Sequence, residues 1–592
     1  MLKAHQTNAR WTTGLGLPAL LGGLLMVGCQ GSIERLDHQV AEMIAERQRL
    51  SLGEEGVSDA SVGLPKQPSG SGLYDEQPVT TNPAADLLPA KPAPDMQDEV
   101  GPAEPETATE PIALDLPALL AYAIEHAPEY RSEKESLFLS TLSLIIERHL
   151  WGPRFFNTLS ADLSGTPESG DYDTALNLVN DFTVTQRLPY GGTASVSALV
   201  NYTNLLQQAS TTTSPDETQS SSINASINLP LLRGAGQVAR EDLIQAERDL
   251  IYAVREFERF RREFFVSISN TYFNLLRQEQ GIRNQERQLV GLSRLANQQE
   301  AFLGAERISR FEADDAAAQV LFGKSDLAQV IDDYQTSLDA LKLRIGMPVE
   351  QPLTITGMKI DVPNPALDEA GSIKIGQSAR LDLQTDADQV DDARRDVLVA
   401  RNQLKGDLDL NAGIDLDTDT GRDIDGLDFE LGDSDYNVGL EYQAPLDRKI
   451  ELAQYRSSLV SLERAERDFR VQRDRVALDI RDAIREINRA RVTLQLQDEN
   501  VNLAERRLKS LEIKQNRAQD NIPPRRIIEA EEDLLDARNR RDQSLADLQT
   551  SVLNYLLQTG QMRVDGQGRW LAPGKLLPED QAPSDLLEEE AE

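Results

Sequence analysis

The sequence predicts a mainly α-helical protein with β structure, built as a duplicated helix–strands–helix repeat. Three observations carry this: two very long stretches with helical heptads, six shorter stretches alternating apolar and polar residues, and an internal duplication. Residues 448–520 hold no Pro and no Gly over 73 positions, enough for a rod of about 110 Å at ~1.5 Å per residue. Within it Val476, Ile480, Ala483, Ile487, Ala490, Leu494, Gln497, Val501, Ala504, Leu508 and Leu511 follow a strict 4-3 spacing, the signature of coiled-coil packing. Residues 240–303 carry a similar stripe, with Phe260, Phe264 and Ile268 spaced 4 and 4, a stutter that locally relaxes the supercoil. These spacings predict long antiparallel coiled-coil helices.

The alternating stretches are 155–165, 178–188, 193–204, 221–229, 407–416 and 436–444. In 221–229, Ile223, Ala225, Ile227 and Leu229 share one face, and Ser222, Asn224, Ser226 and Asn228 share the other. At about ten residues such strands are long enough to cross an outer membrane. Their almost unbroken polar face suits a wet lumen with lipid outside, although a soluble half-buried sheet has the same period.

Composition narrows the function. Asp plus Glu number 98 and Lys plus Arg 61, a net charge of −37, which excludes a nucleic-acid binder relying on a basic patch. No phosphate loop, nucleophile–base arrangement or cofactor fingerprint is found, so the chain reads as non-enzymatic with no cofactor. His5, His38, His126 and His149 are scattered and offer no metal site. Residues 415–435 hold nine acids and one Arg, but Gly and Glu are misplaced for a calcium loop. No apolar run reaches the ~20 residues of a membrane-spanning helix.

The N-terminus reads as an address. Lys3 and Arg10 precede an apolar stretch over 14–27, closed by Leu25-Met26-Val27-Gly28-Cys29, and Cys29 is the sole cysteine. A segment of this length is a signal-peptide core. It resembles a bacterial lipoprotein signal, which implies that residues 1–28 are removed and that Cys29 is acylated (palmitate among its acyl chains) as the new N-terminus. Gln30 follows in place of an Asp retention signal. Residues 52–111 are rich in Pro, Gly, Ser and acids and read as a disordered tether, as does the tail over 578–592.

The duplication orders these pieces. Leu229-Pro230-Leu231 and Ala444-Pro445-Leu446 each close a strand before a long helix. Pro230 to Gly346 spans 116 positions, and Pro445 to Gly560 spans 115. Gln335-Thr336-Ser337 matches Gln549-Thr550-Ser551; Phe311-Glu312-Ala313-Asp314-Asp315 echoes Ile528-Glu529-Ala530-Glu531-Glu532; and His126-Ala127-Pro128-Glu129-Tyr130 echoes Ala379-Arg380-Leu381-Asp382-Leu383. The first repeat is longer: Pro153 to Pro230 spans 77 positions, and Gly406 to Pro445 spans 39. The excess holds two strands joined by Pro189-Tyr190-Gly191-Gly192, which is turn chemistry.

With these pieces in this order over residues 112–561, the chain resembles the TolC-type outer-membrane efflux family. The resemblance rests on Leu116-Pro117-Ala118-Leu119-Leu120 with the His126-Ala127-Pro128-Glu129 turn, on Leu229-Pro230-Leu231-Leu232-Arg233-Gly234-Ala235-Gly236, on the matching corner at Pro445, on Glu529-Ala530, and on Gly346 and Gly560. It implies a homotrimer whose three chains share one transmembrane β-barrel, with a helical tunnel across the periplasm. It also implies a periplasmic adaptor (membrane fusion) protein and an inner-membrane transporter as partners. The family barrel has twelve strands, four per chain, which favours placing the extra strands (178–204) outside the wall, although a wall with one more hairpin per chain stays open.

The segments implied are the signal peptide (1–28), the anchored segment and linker (29–111), the first repeat (112–350), a linker (351–371), the second repeat (372–561) and an acidic tail (562–592). Adaptor contact falls on the helix tips, at Gly304, Arg307, Ser309 and Arg310 and at Pro523, Pro524 and Arg525. Pro-Pro stiffens the second tip and starts its helix at Arg525. Glu529 matches an acid that rings the closed entrance, with Arg526 where a second acid is expected; a solvated helix-start carboxylate has the same sequence.

The function implied is the outer-membrane channel of a tripartite efflux or type I secretion system, a passive duct embedded in outer-membrane lipid. A lipid-anchored periplasmic coiled-coil scaffold without a pore is the alternative. The acidic charge predicts a cation-preferring lumen.

Overall fold

The computed structural model describes residues 32–52, 111–168, 171–207, 217–357, 367–418, 429, 432, 434–516, 523–564 and 570–571. Cys29 and the signal peptide, the tether, most of the acidic 415–435 loop, and the C-terminal tail lie outside these residues. In chain order the elements are α1 (Ser32–Leu52), β1 (Ile112–Leu114), α2 (Leu116–His126), α3 (Pro128–Leu150), β2 (Arg154–Glu168), β3 (Asp171–Arg187), β4 (Thr193–Gln207) and β5 (Glu217–Pro230). A 3-10 turn (Gly236–Arg240) leads into α4 (Glu241–Gly304), α5 (Arg310–Ile345), β6 (Leu353–Ile355), α6 (Glu369–Ala379) and α7 (Leu381–Asn402). Then come β7 (Asp407–Asp417), β8 (Ser434–Gln443), α8 (Lys449–Asn516), α9 (Pro524–Gln558), β9 (Arg563–Val564) and β10 (Trp570–Leu571). The chain is mostly helical, as the periodicity predicts; α4 has 64 residues and α8 has 68.

The two halves repeat one local design. Asp115 caps α2 by accepting from the Ala118 amide at 3.0 Å, and Asp368 caps α6 by accepting from the Gly371 amide at 3.0 Å, each cap contributing about 1 kcal/mol. Both helices are 11 residues long and end in an extended residue, Ala127 or Arg380, before the next helix begins. Both repeats then close on a left-handed glycine, Gly346 at φ 75° and Gly560 at φ 68°. Amides just beyond reach back in the same way, Met347 to the Lys342 carbonyl at 2.8 Å and Gln561 to the Leu556 carbonyl at 3.0 Å. A side chain at Gly346 would meet the His126 carbonyl, and one at Gly560 would meet the backbone of Ala379. Each closing glycine therefore lies against the end of its own repeat's short helix, which is why glycine stands at both positions.

The chain forms two compact units, each drawn from both halves. The first includes Ser136–Arg255 and Thr385–Phe469 and contains one antiparallel sheet of order β2-β3-β4-β5-β7-β8. Residues 178–204, favoured as standing apart from the other strands, are instead paired within the same sheet. β3 pairs with β2 and β4, and β4 pairs with β5 from Thr193↔Asn228 to Asn204↔Glu217. The extra hairpin is interior to the sheet: its alternation is in phase with that of its neighbours, and β5 has β4 on one side and β7 on the other.

In the same unit, α1 buries Val40, Met43 and Ile44, with Arg148 of α3 3.4 Å from Met43 Sδ; this element has no sequence-based expectation. Ion pairs tie α4 to α7: Arg255 meets Asp388 at 2.6 Å, Arg248 meets Asp392 at 3.0 Å, and Arg395 meets Glu241 at 2.8 Å.

The second unit includes Glu256–Gln384 and the helical region from Arg470 onward. Here the α8 seam is buried where the spacing predicts, at Val476, Ile480, Ala483, Ile487 and Ala490. On α4, Phe257, Phe264, Ile268 and Leu275 are buried from the predicted stripe, and Phe265, Tyr272 and Phe273 are buried beside it. Tyr130 packs edge-on to Phe257 at 5.8 Å, and its phenol is pushed up to about 12 by burial. The parallel pair β1–β6 is a further contact the sequence did not signal.

Candidate functional sites: a two-faced sheet and the helix tips

Cross-strand partners share a face, so the ladders fix which side chains line each side of the sheet. One row reads Phe155, Val184, Val196, Ala225, Ile414 and Tyr436 across all six strands. The next row, on the opposite face, reads Phe156, Thr183, Ser197, Asn224, Asp415 and Asp435. Among the described residues much of the apolar face is exposed, with Tyr436 82% exposed and Val438 72%. A solvated β-domain would cover such a surface. The polar face carries its own bonds, among them Ser195 with Ser226 at 2.7 Å and Asn228 Nδ2 donating to Asn411 Oδ1 at 2.6 Å. Its charges are mainly acidic, with Asp162, Asp181, Asp409, Asp415, Asp435 and Glu441 against Arg154 and Arg187.

The tips are built differently. α4 ends at Gly304, and the chain turns through Glu306 at φ 55°. The Arg307 guanidinium lies over the Phe302 ring, 5.3 Å from its centroid. Ser309 starts α5 with a capping box: its side chain accepts from the Glu312 amide, and the Ser309 amide donates to Glu312 Oε2 at 2.9 Å. Arg310 is exposed and 3.8 Å from Asp314. At the second tip α9 begins at Pro524, one residue before the expected Arg525, with Pro523 as its cap; proline suits the first turn because its missing N–H would be unpaired there anyway. Within the chain it is Arg525, not Arg526, that meets Glu529, at 3.3 Å on an exposed helix face.

Behind the tips the four helices meet. Leu292 and Leu295 of α4, Leu508 of α8, and Ile527, Ile528, Ala530 and Leu534 of α9 form one buried cluster, with Val320 of α5 against it. Two residues past Glu529 is a carboxylate that is not among the expected site residues. Glu531 lies over Gly291, where any side chain would collide with it. Burial pushes its carboxyl up to about 7, Glu512 adds to the rise, and Arg538 and Arg294 oppose it. The signal available in the sequence was weak: a Glu one turn from the cluster positions, facing a glycine 240 residues away.

A second feature concerns α8. Val471, Leu478, Val492, Leu496 and Leu503 fall at the heptad positions opposite the buried seam, and each is more than half exposed. A helix apolar on both sides has packing to offer beyond its own chain.

Among the described residues no helix is long and apolar enough to cross a membrane, and no group of His, Cys, Asp or Glu could hold a metal ion. No protein-family model and no curated protein matches the chain. Solved structures do. The chain is similar to the CmeC outer membrane channel of Campylobacter jejuni, at 12% identity over 75% of this chain and 85% of that one, with a TM-score of 0.55. It is similar to the outer membrane protein VceC of Vibrio cholerae, at 16% identity over 75% and 96%, TM-score 0.55. It is also similar to the open-state MtrE outer membrane channel of Neisseria gonorrhoeae, at 13% identity over 77% and 90%, TM-score 0.56. The chain has the fold of TolC-type outer-membrane channels.

Proposed function

We propose that the protein is the outer-membrane channel of a tripartite efflux or type I secretion system, a passive duct with no catalytic step of its own. The six-stranded sheet carries this reading. It exposes one apolar face, lines the other with hydroxyls, amides and carboxylates, and ends in two unpaired edges, β2 and β8. Unpaired edges are resolved by closure, and a sheet with these faces closes with lipid outside and water inside. The exposed stripe on α8 supports assembly with further copies, and the shared fold makes a trimer the natural count.

In the assembled duct, the tips at Gly304, Arg307, Ser309 and Arg310 and at Pro523, Pro524 and Arg525 receive a periplasmic adaptor, which links to an inner-membrane transporter supplying the energy. Three Glu529 carboxylates ring the periplasmic entrance, with Arg526 pairing across chains. Acylated Cys29 anchors the chain in outer-membrane lipid. The acids on the polar face of the sheet make the lumen cation-preferring.

Planar-bilayer recording of the purified protein tests this. A cation-selective conductance is expected, with tip-opening substitutions raising it. No conductance even with both tips opened would replace the channel by the scaffold reading, and anion selectivity would refute the charged lumen. If Glu529→Ala left conductance and its block by cations unchanged, the gate would lie elsewhere. Deleting the gene and comparing drug accumulation with secreted protein separates efflux from secretion.

A further inference from the structure

We propose that the β3–β4 hairpin is part of the membrane wall, so that three copies close an eighteen-stranded barrel wider than the twelve strands of four per chain. The inference rests on the channel reading above and deepens it.

Four observations carry it. The hairpin is interior: β4 pairs with β5 along its length, β5 pairs on its other side with β7, and β3 pairs with β2 from Arg154↔Thr185 to Glu168↔Asp171. A hairpin standing off the wall would have to leave these ladders. Its faces continue those of the sheet, with Val184, Val196 and Ala198 on the apolar side and Thr183, Thr185, Ser195 and Ser197 on the polar side. Its connecting turn is fitted to the base of the sheet. The Gly236 amide donates to the Tyr190 carbonyl at 2.9 Å, and Gly192, at φ 85°, lies so close to the Asn228 carbonyl that no side chain fits. Finally, β2 and β8 end a six-strand meander in which every neighbour is antiparallel. They therefore run in opposite senses, and β2 of one copy meets β8 of the next as another antiparallel pair.

Barrel diameter grows roughly linearly with strand number, so eighteen strands give a wall about 1.5 times as wide as twelve. Walls of that size hold an aqueous channel, and a wall this wide fits bulky cargo rather than small solutes alone. The added strands contribute mainly hydroxyl and amide groups to the lumen, while the acids concentrate on β7 and β8.

The test places single cysteines in the full chain in the outer membrane of intact cells and adds membrane-impermeant maleimides of graded polyethylene glycol length from outside, with the unsubstituted chain as background. Ser197→Cys on β4 and Ser226→Cys on β5 are expected to react at least ten-fold faster than Ala198→Cys and Ala225→Cys. The largest reagent reaching Ser226→Cys is expected to shrink about 1.5-fold in radius when residues 171–207 are deleted, which leaves β2 to pair with β5. Equal reaction at 197 and 198, with alternation kept at 225 and 226, overturns the proposal and leaves the channel reading standing. Loss of alternation at 225 and 226 overturns the channel reading itself. If the deletion variant fails to assemble, the 197 and 198 pair decides alone; if it assembles with an unchanged size limit, the hairpin is not in the wall.

Discussion

The sheet and the helical tips solve opposite problems with the same residue types. At the tips, Leu292, Leu508, Ile528 and Leu534 come from three helices and bury one another. In the sheet, Leu159, Val196, Ile414 and Tyr436 are as apolar but exposed, and none joins a core among the described residues. The tips complete their own core, so their stability is internal. The sheet has paired backbone but, among the described residues, an exposed apolar face; in the proposed channel, lipid on that face and other copies at the edges would supply the missing stability. The comparison teaches that exposure of a regular apolar face, and not burial, is what sets the sheet apart from the helices and what the proposed membrane role rests on.

Substitutions can break that contrast or sharpen it. The largest effect is expected in the helical seam. Ile480 is fully buried, and Ile480→Ala should destabilise by about 3 kcal/mol through lost burial and the cavity left behind, read as a lower midpoint in thermal melting of helical circular dichroism. On the sheet, Val196→Lys places a charge on the apolar face and should cost about 2–4 kcal/mol if that face meets lipid. Ser197→Lys, one residue along on the other face, should cost little; the readout is the fraction of heat-modifiable folded protein in membranes. Equal tolerance of both would contradict a lipid-facing side.

A smaller effect is expected at Glu531. Its native carboxyl titrates at about 7 against an ordinary 4.5, so between those values the folded chain keeps a proton the unfolded chain has released. Stability therefore falls as pH rises through that window. Glu531→Gln should remove the loss, a gain on the order of 1 kcal/mol near pH 8 and almost none near pH 5, with solvent screening of this partly exposed group allowed for. Urea unfolding at the two pH values checks it. The smallest effect is Arg525→Ala. Its pair with Glu529 is exposed, so a change of only a few tenths of a kcal/mol in melting is expected. A larger loss would mean that this corner is buried by something beyond the single chain.

Much of this was legible from order along the chain. The 4-3 spacing on α8 identified Val476, Ile480 and Ile487 as core, and period two identified which residues of β4 and β5 share a face. Gly346 and Gly560 were legible as matched closing positions, though not the carbonyls that require them to be glycine. The tip was half legible. Ser309 three residues before Glu312 is a capping box in sequence as in structure, but Glu529 drew attention while its neighbour Glu531 was the desolvated group. The exposed stripe of Val471, Leu478 and Val492 was also present in the spacing, hidden by the stronger seam beside it.

What the sequence determined by itself are the properties that depend on near neighbours: helix and strand periods, caps, the turn at Gly191-Gly192 and the duplication. These are local because a side chain's face is set by its distance along the chain. The tertiary structure alone decided that the extra hairpin lies inside the sheet, and that Glu531 is half-buried while Glu529 is exposed. Strand order is made by backbone hydrogen bonds, which are the same for every residue and leave no trace in sequence. Desolvation depends on which distant helices converge, and Gly291 meets Glu531 only after four of them have packed.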